Sequence, residues 1–137
     1  MPTNRVLQDF VGVWQISRKI HHADGTCATF DGQAVFAPEA DGLRHDETGT
    51  LRIGAGPPLS ATQRYCWDAD LAVYFEDGRF FHHVPPLGGD TAHWCDPDQY
   101  DGRYGFEDWP SFTVQWRVRG PRKDYRMLSR YDRAGSI

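Results

Sequence analysis

The chain has 137 residues, of which 39% are hydrophobic, 14% aromatic and 25% charged, which suits one compact domain over residues 1–137 and leaves no room for two. Its 15 Lys+Arg against 19 Asp+Glu give a formal charge of −4, which argues against nucleic acid as a partner, because phosphate contacts need a net basic face. The 8 Phe, 6 Tyr and 5 Trp exclude a disordered chain, and 14 Gly with 9 Pro favour turns and short elements over long helices.

Met1-Pro2-Thr3-Asn4-Arg5 lacks the apolar core of a signal peptide, and no apolar run approaches the roughly 18 residues of a membrane span. The expectation is therefore a cytoplasmic protein without a membrane partner. Thr3–Phe10 reads as a short turn of helix with Thr3 as its cap. Beyond it, apolar residues recur with period two: Trp14, Ile16 and Ile20; Phe30, Gly32, Ala34 and Phe36; Leu43, Glu47, Gly49 and Leu51; Tyr65 and Trp67; Val73 and Phe75; Val114, Trp116 and Val118. Period two means half-buried strands. Asp-Gly pairs at 24–25, 31–32, 41–42, 77–78 and 101–102 are hairpin-turn signals, since glycine supplies positive φ and aspartate tolerates it. The pattern predicts about nine or ten strands in an all-β antiparallel barrel. A barrel is favoured over a sandwich because Gly32 and Gly49 fall on apolar faces, where a tightly curved strand uses glycine. Cys27, Cys66 and Cys95 form an odd set without C-x-x-C spacing, so a disulfide framework is not expected. Cys27 and Cys66 have no histidine at matching parity on this reading.

Phe10-Val11-Gly12-Val13-Trp14 resembles the G-x-W opening of lipocalin and calycin barrels. In those folds a short helix leads into the first strand and an Arg from the last strand packs over the Trp, a part for Arg133 or Arg130. With Asp77-Gly78-Arg79-Phe80-Phe81-His82, with His93 to Tyr100 and with Gly120-Pro121-Arg122-Lys123-Asp124-Tyr125, the sequence resembles, from Phe10 to Arg133, a family of small proteins of unknown function with a lipocalin/calycin-like barrel. His45 and Gln63 stand where that family has Tyr and Arg. The resemblance implies the fold and carries no activity.

Hairpin arithmetic defines an interior. A two-residue turn at Asp77-Gly78 pairs Phe75 with Phe80 and Val73 with His82, pointing Phe80 and His82 inward. A symmetric turn around Pro85–Asp90 sets His93 opposite His82, with Cys95 on the same face. The turn at Gly120-Pro121 pairs Val118 with Lys123 and Trp116 with Tyr125. Strand parity adds Arg18, Glu47, Tyr65 and Trp67. So many inward polar groups are costly unless paired or hydrated, so they point to a wet cavity with room for one small molecule.

The sequence therefore predicts a barrel holding one small organic, anionic or carbonyl-bearing ligand, met by Arg18 and Lys123 and oriented by Tyr65, Trp67, Cys95 and Tyr125. His82 and His93 are candidates for metal-free acid/base chemistry, with Glu47 fixing the tautomer. No cofactor is implied, because nucleotide, zincin and hydrolase signatures are absent. Whether the protein is an enzyme stays open, as does its oligomeric state. Two alternatives stand beside this reading. One is a metal- or haem-binding barrel using His82, His93 and Cys95. The other is a non-catalytic module whose strand edges, or whose Arg117/Arg119/Arg122 face, bind a protein.

Overall fold

A computed structural model describes residues 3–136. One helical turn, α1 (Leu7–Phe10), precedes ten strands: β1 (Gly12–His22), β2 (Cys27–Glu39), β3 (Gly42–Ile53), β4 (Leu59–Trp67), β5 (Ala72–Phe75), β6 (Phe80–His83), β7 (Gly89–Cys95), β8 (Asp98–Gly105), β9 (Phe112–Arg119) and β10 (Asp124–Gly135). They form a single antiparallel sheet in the order β6-β5-β4-β3-β2-β1-β10-β9-β8-β7, curled into the expected barrel. The barrel is nearly closed: β6 and β7 are its two edges, with no ladder pairing between them, and the Thr91 hydroxyl crosses the gap to donate to the His83 carbonyl oxygen at 2.7 Å. Among the described residues, no helix is long and apolar enough to cross a membrane.

The alternation read from the sequence is the alternation of burial. Trp14, Ile16, Phe30, Ala34, Phe36, Leu43, Val114, Trp116 and Val118 are all buried. Of the five Asp-Gly pairs, those at 24–25, 41–42 and 77–78 fall at strand junctions, whereas 31–32 and 101–102 lie inside β2 and β8. Gly32 faces Gly49 across the β2–β3 ladder, and a Cβ on either would collide with the main-chain oxygen of Thr48 or Asp31. The two strands approach too closely there for any other residue, which lets the wall bend.

Three local expectations are corrected. The helix begins after Val6, whose N–H donates to the Asp9 carboxylate at 2.9 Å, so Asp9 rather than Thr3 caps it. A bulge between Val73 and Tyr74 keeps Val73 opposite His82 but pairs Tyr74 with Phe80, which turns Phe80 outward (44% exposed) and Phe81 inward (7%). The β9–β10 register is two residues further along than expected, with Tyr125 opposite Val118 and Met127 opposite Trp116. A shift of two leaves every side chain on its predicted face.

The α1 end is sealed by aromatic rings. Trp14 is fully buried, and its Nε1–H donates to the Phe10 carbonyl oxygen at 2.9 Å. Of the two arginines proposed to cover it, Arg133 does so, with Cζ 4.0 Å from the ring centroid. Its Nη1 donates to the Val11 carbonyl oxygen and its Nη2 to that of Asp9, both at 2.7 Å. The guanidinium thus ties the last strand to the helix. Arg133→Ala is expected to cost about 2 kcal/mol, the sum of a cation–π contact and two charge-assisted bonds discounted for exposure. Urea unfolding with an unchanged m-value checks this, and Arg133→Lys should recover less than half, because an ammonium cannot serve both carbonyls.

Candidate functional site

At mid-depth the inner faces of β1, β3 and β10 bring together a charged cluster. Arg18 and Ser129 are ladder partners, and Arg18 Nε donates to the Ser129 hydroxyl oxygen at 2.6 Å. Arg18 Nη2 donates to Glu47 Oε1 at 2.9 Å and to the Tyr131 hydroxyl oxygen at 3.2 Å. The Tyr131 hydroxyl donates to Glu47 Oε2 at 2.5 Å. His45, on the same face of β3 as Glu47, lies with Nε2 2.8 Å from that oxygen. The Trp67 indole N–H, which can only donate, reaches His45 Nδ1 at 3.2 Å. Nδ1 is therefore the acceptor, and Nε2–H donates to Glu47.

Glu47 is 2% exposed. Burial alone would push its carboxyl up, but His45, Arg18 and Tyr131 outweigh burial and hold it down at about 2. The carboxylate is fully partnered. Arg18 is not: its Nη1 has no protein partner among the described residues, and its side chain is 15% exposed. Phe30 lies beneath it, with Cζ 5.2 Å from the ring centroid. One free corner of a held guanidinium thus faces the inside of the barrel.

His82 is 3% exposed, edge-on to Phe81 and Trp116. Its Nε2 lies 2.7 Å from the Tyr104 hydroxyl, and its Nδ1 is buried without a partner. If the phenol donates to Nε2, a single donor, Nδ1–H, is left over. The opposite tautomer would strand both the phenol proton and the Nδ1 lone pair. Counting unmet groups therefore assigns the proton to Nδ1. Burial, with the nearby His93, holds His82 down to about 3, so it is a neutral hydrogen-bond donor at neutral pH.

Arg18, His45, Glu47, Tyr65, His82 and Trp67 are among the residues lining one internal cavity of about 60 Å³. That is room for a few waters or the head group of a ligand, well short of the roughly 300–1,000 Å³ that encloses a drug-sized molecule. The polar interior expected from the sequence is present, but rings fill most of the hollow.

The other predicted residues are dispersed. Because β6 and β7 are not paired, His93 is not the ladder partner of His82. It pairs with Tyr100 in β8 and sits half-buried between Phe81 and Tyr100. Burial lowers its pKa. Cys95 lies half-buried on the same face. Tyr65 and Tyr125 are partly buried and pack against the core; burial raises the pKa of both phenols. Lys123 does not reach the cavity: it is exposed at the rim of the barrel, 3.2 Å from Asp98 Oδ2 and donating to the Tyr100 hydroxyl oxygen at 3.2 Å. Glu47 engages His45, not His82 or His93, so it fixes neither of their tautomers. Among the described residues, no three His, Cys, Asp or Glu side chains are gathered to hold a metal ion. His82, His93 and Cys95 are thus not a preformed metal set.

Sequence reasoning missed His45, Tyr104, Ser129 and Tyr131. Parity carried the signal for three of them: His45 lies between Leu43 and Glu47, and Ser129 and Tyr131 continue the Tyr125–Met127 face.

Fold and cluster together describe a small, nearly closed antiparallel barrel with an ionic network at mid-depth. The chain belongs to DUF6314, a family of unknown function, which it matches over residues 10–133. It is similar in structure to the S-type phycobiliprotein lyase CPES from Guillardia theta, with a TM-score of 0.65 and 10% identity, over 96% of this chain and 92% of that one. It also resembles a de novo designed fluorescence-activating β-barrel, with a TM-score of 0.46 and 12% identity, over 93% of this chain and 96% of that one. At such identities the likeness is one of fold. No curated protein matches the sequence.

Proposed function

We propose that the barrel binds one small organic molecule bearing a carboxylate or carbonyl, its head group against Arg18 and His82 and its body between Tyr65, Phe81 and Met127. The observation that carries this reading is the free Nη1 of Arg18. Glu47, Ser129 and Tyr131 hold the other nitrogens of the guanidinium, while one donor corner is left partly accessible. A second donor, Nδ1–H of His82, lines the same cavity. Two donor residues lining one cavity suit an oxyanion or carbonyl oxygen. A base poised for proton abstraction has a pKa near the working pH, and His82 is far below it, so binding and orientation are favoured over acid/base turnover. His93 and Cys95 flank the ligand's body, Trp67 forms part of the cavity wall and holds His45, and Lys123 stays outside contact with the ligand. The fold shared with a phycobiliprotein lyase is consistent with this reading, but the support comes from the site.

Titration with anilinonaphthalene sulfonate, an anionic aromatic fluorophore, followed by native mass spectrometry of freshly purified protein for a co-purified acid, tests the proposal. Arg18→Met combined with Glu47→Gln, which keeps the cluster neutral, should weaken fluorophore binding by about tenfold, the loss of one charge-assisted bond. Binding unchanged in that variant, and in His82→Gln, would overturn it.

A further inference from the structure

The outer wall carries a second group of residues that the ligand reading does not use. Across four adjacent strands the ladder places Cys27 beside His21, His21 beside Arg126 and Arg126 beside Arg117. Their neighbours in sequence face inward, so all four point away from the core. Cys27 and His21 are exposed, and Cys27 Sγ lies 3.3 Å from His21 Nδ1. The Gly25 carbonyl oxygen, the other acceptor near the thiol, is farther away at 3.7 Å.

Arg117 is neutralised by Asp124 at 2.5 Å and Arg119 by Asp101 at 3.2 Å. Arg126 has no acidic partner among the described residues. Arg126, opposite an Arg117 whose charge Asp124 already offsets, is thus a cation on this wall left open to a bound anion. His21, Asp101, Arg117, Arg119 and Arg126 line an open groove of about 940 Å³, and Cys27 stands at its His21 end. Two ladder steps of roughly 5 Å separate Cys27 from Arg126, a span that a small carboxylate-bearing molecule bridges.

We infer that this groove is a thiol-exchange site for low-molecular-mass disulfides carrying carboxylates, with Cys27 as nucleophile, His21 as proton acceptor and Arg126 as the carboxylate anchor. His21 takes the S–H proton and the thiolate attacks one sulfur of the disulfide. The S–S bond of the reagent breaks as the Cys27–S bond forms. The departing thiolate takes the proton back from His21, so Cys27 ends as a mixed disulfide and the other half leaves as a thiol.

Two probes separate the roles: dithiobis(nitrobenzoate), a dianionic disulfide, and dithiodipyridine, a neutral one. Each is mixed with the intact protein and the labelled cysteine is located by peptide mass spectrometry. Cys27 should react first, with Cys66 and Cys95 as internal references. His21→Ala should slow Cys27 about tenfold with both probes. Arg126→Ala should slow the dianionic probe about fivefold and leave the neutral one unchanged. All three residues lie on the surface, so the variants should keep the wild-type melting temperature. Cys27 reacting no faster than Cys66 and Cys95, or Arg126→Ala slowing both probes alike, would overturn the inference.

Discussion

Unfolding below neutral pH is expected to take up about one extra proton per molecule, and His82→Gln should remove most of that uptake. The unfolded imidazole titrates near its ordinary 6.5 and the buried one near 3. Between those values the unfolded chain holds a proton that the folded chain refuses, so stability rises with pH across that window. His82 thus favours folding least at acid pH, where the loss approaches about 5 kcal/mol on the order-of-magnitude scale of about 1.4 kcal/mol per unit. His93, lowered in the same direction, leaves a smaller residual slope in the variant. Chemical denaturation at a series of pH values from neutral to mildly acid measures this directly. A slope identical in wild type and His82→Gln would mean that the buried imidazole is solvated after all.

Arg18 and Glu47 should behave as a unit. Arg18→Met alone leaves a carboxylate at 2% exposure with only neutral donors, an expected loss of about 3 kcal/mol. Glu47→Gln alone strands the guanidinium against Tyr131 and costs a similar amount. The double variant should lose markedly less than the sum, with a coupling of roughly 1.5 kcal/mol or more in a double-mutant cycle. The pair also has its own pH signature. Glu47 falls from an ordinary 4.5 to about 2 on folding, so its contribution is complete above 4.5 and fades as pH drops toward 2. That window reaches lower than that of His82 and overlaps only its acid end, and Glu47→Gln should abolish it while leaving the His82 slope above pH 4.5 in place. Additive single-variant losses would show that the two charges do not depend on each other.

The sequence revealed the barrel because alternation is a local property: Trp14 and Ile16, or Val114, Trp116 and Val118, declare their face without knowledge of any partner strand. Registers were legible only where the turn was regular. The Val73–His82 pairing survives the β5–β6 hairpin, yet one bulge beyond it exchanges Phe80 for Phe81 in the core, and no residue at Asp77-Gly78 announces that bulge. The β1–β2 turn shows how one residue decides a contact. A two-residue loop at Asp24-Gly25 would set His22 against Cys27, on opposite sides from those observed. The His22 N–H instead donates to the Thr26 carbonyl oxygen, so the loop has three residues, with Gly25 at φ +92°, and His21 becomes the neighbour of Cys27. The His82–His93 pairing failed for a global reason, because the sheet happens to end between their strands. Of the site, Arg18 and Glu47 followed from parity alone. Their partners His45, Ser129 and Tyr131 obeyed the same rule, but a network is visible only once three separate strands are set side by side.

The unzipped seam between β6 and β7 makes the molecule's volume adjustable in one direction. Widening the wall anywhere else would tear main-chain rungs, each with a donor and acceptor to re-satisfy. Along this line it releases no main-chain rung, only the Thr91 hydroxyl, the His82–Tyr104 hydrogen bond and ring contacts such as those of Phe75 and Phe81 with His93. On the ligand-binding reading proposed above, a guest bulkier than the resting hollow would be accommodated by parting this seam, not by stretching the ladder.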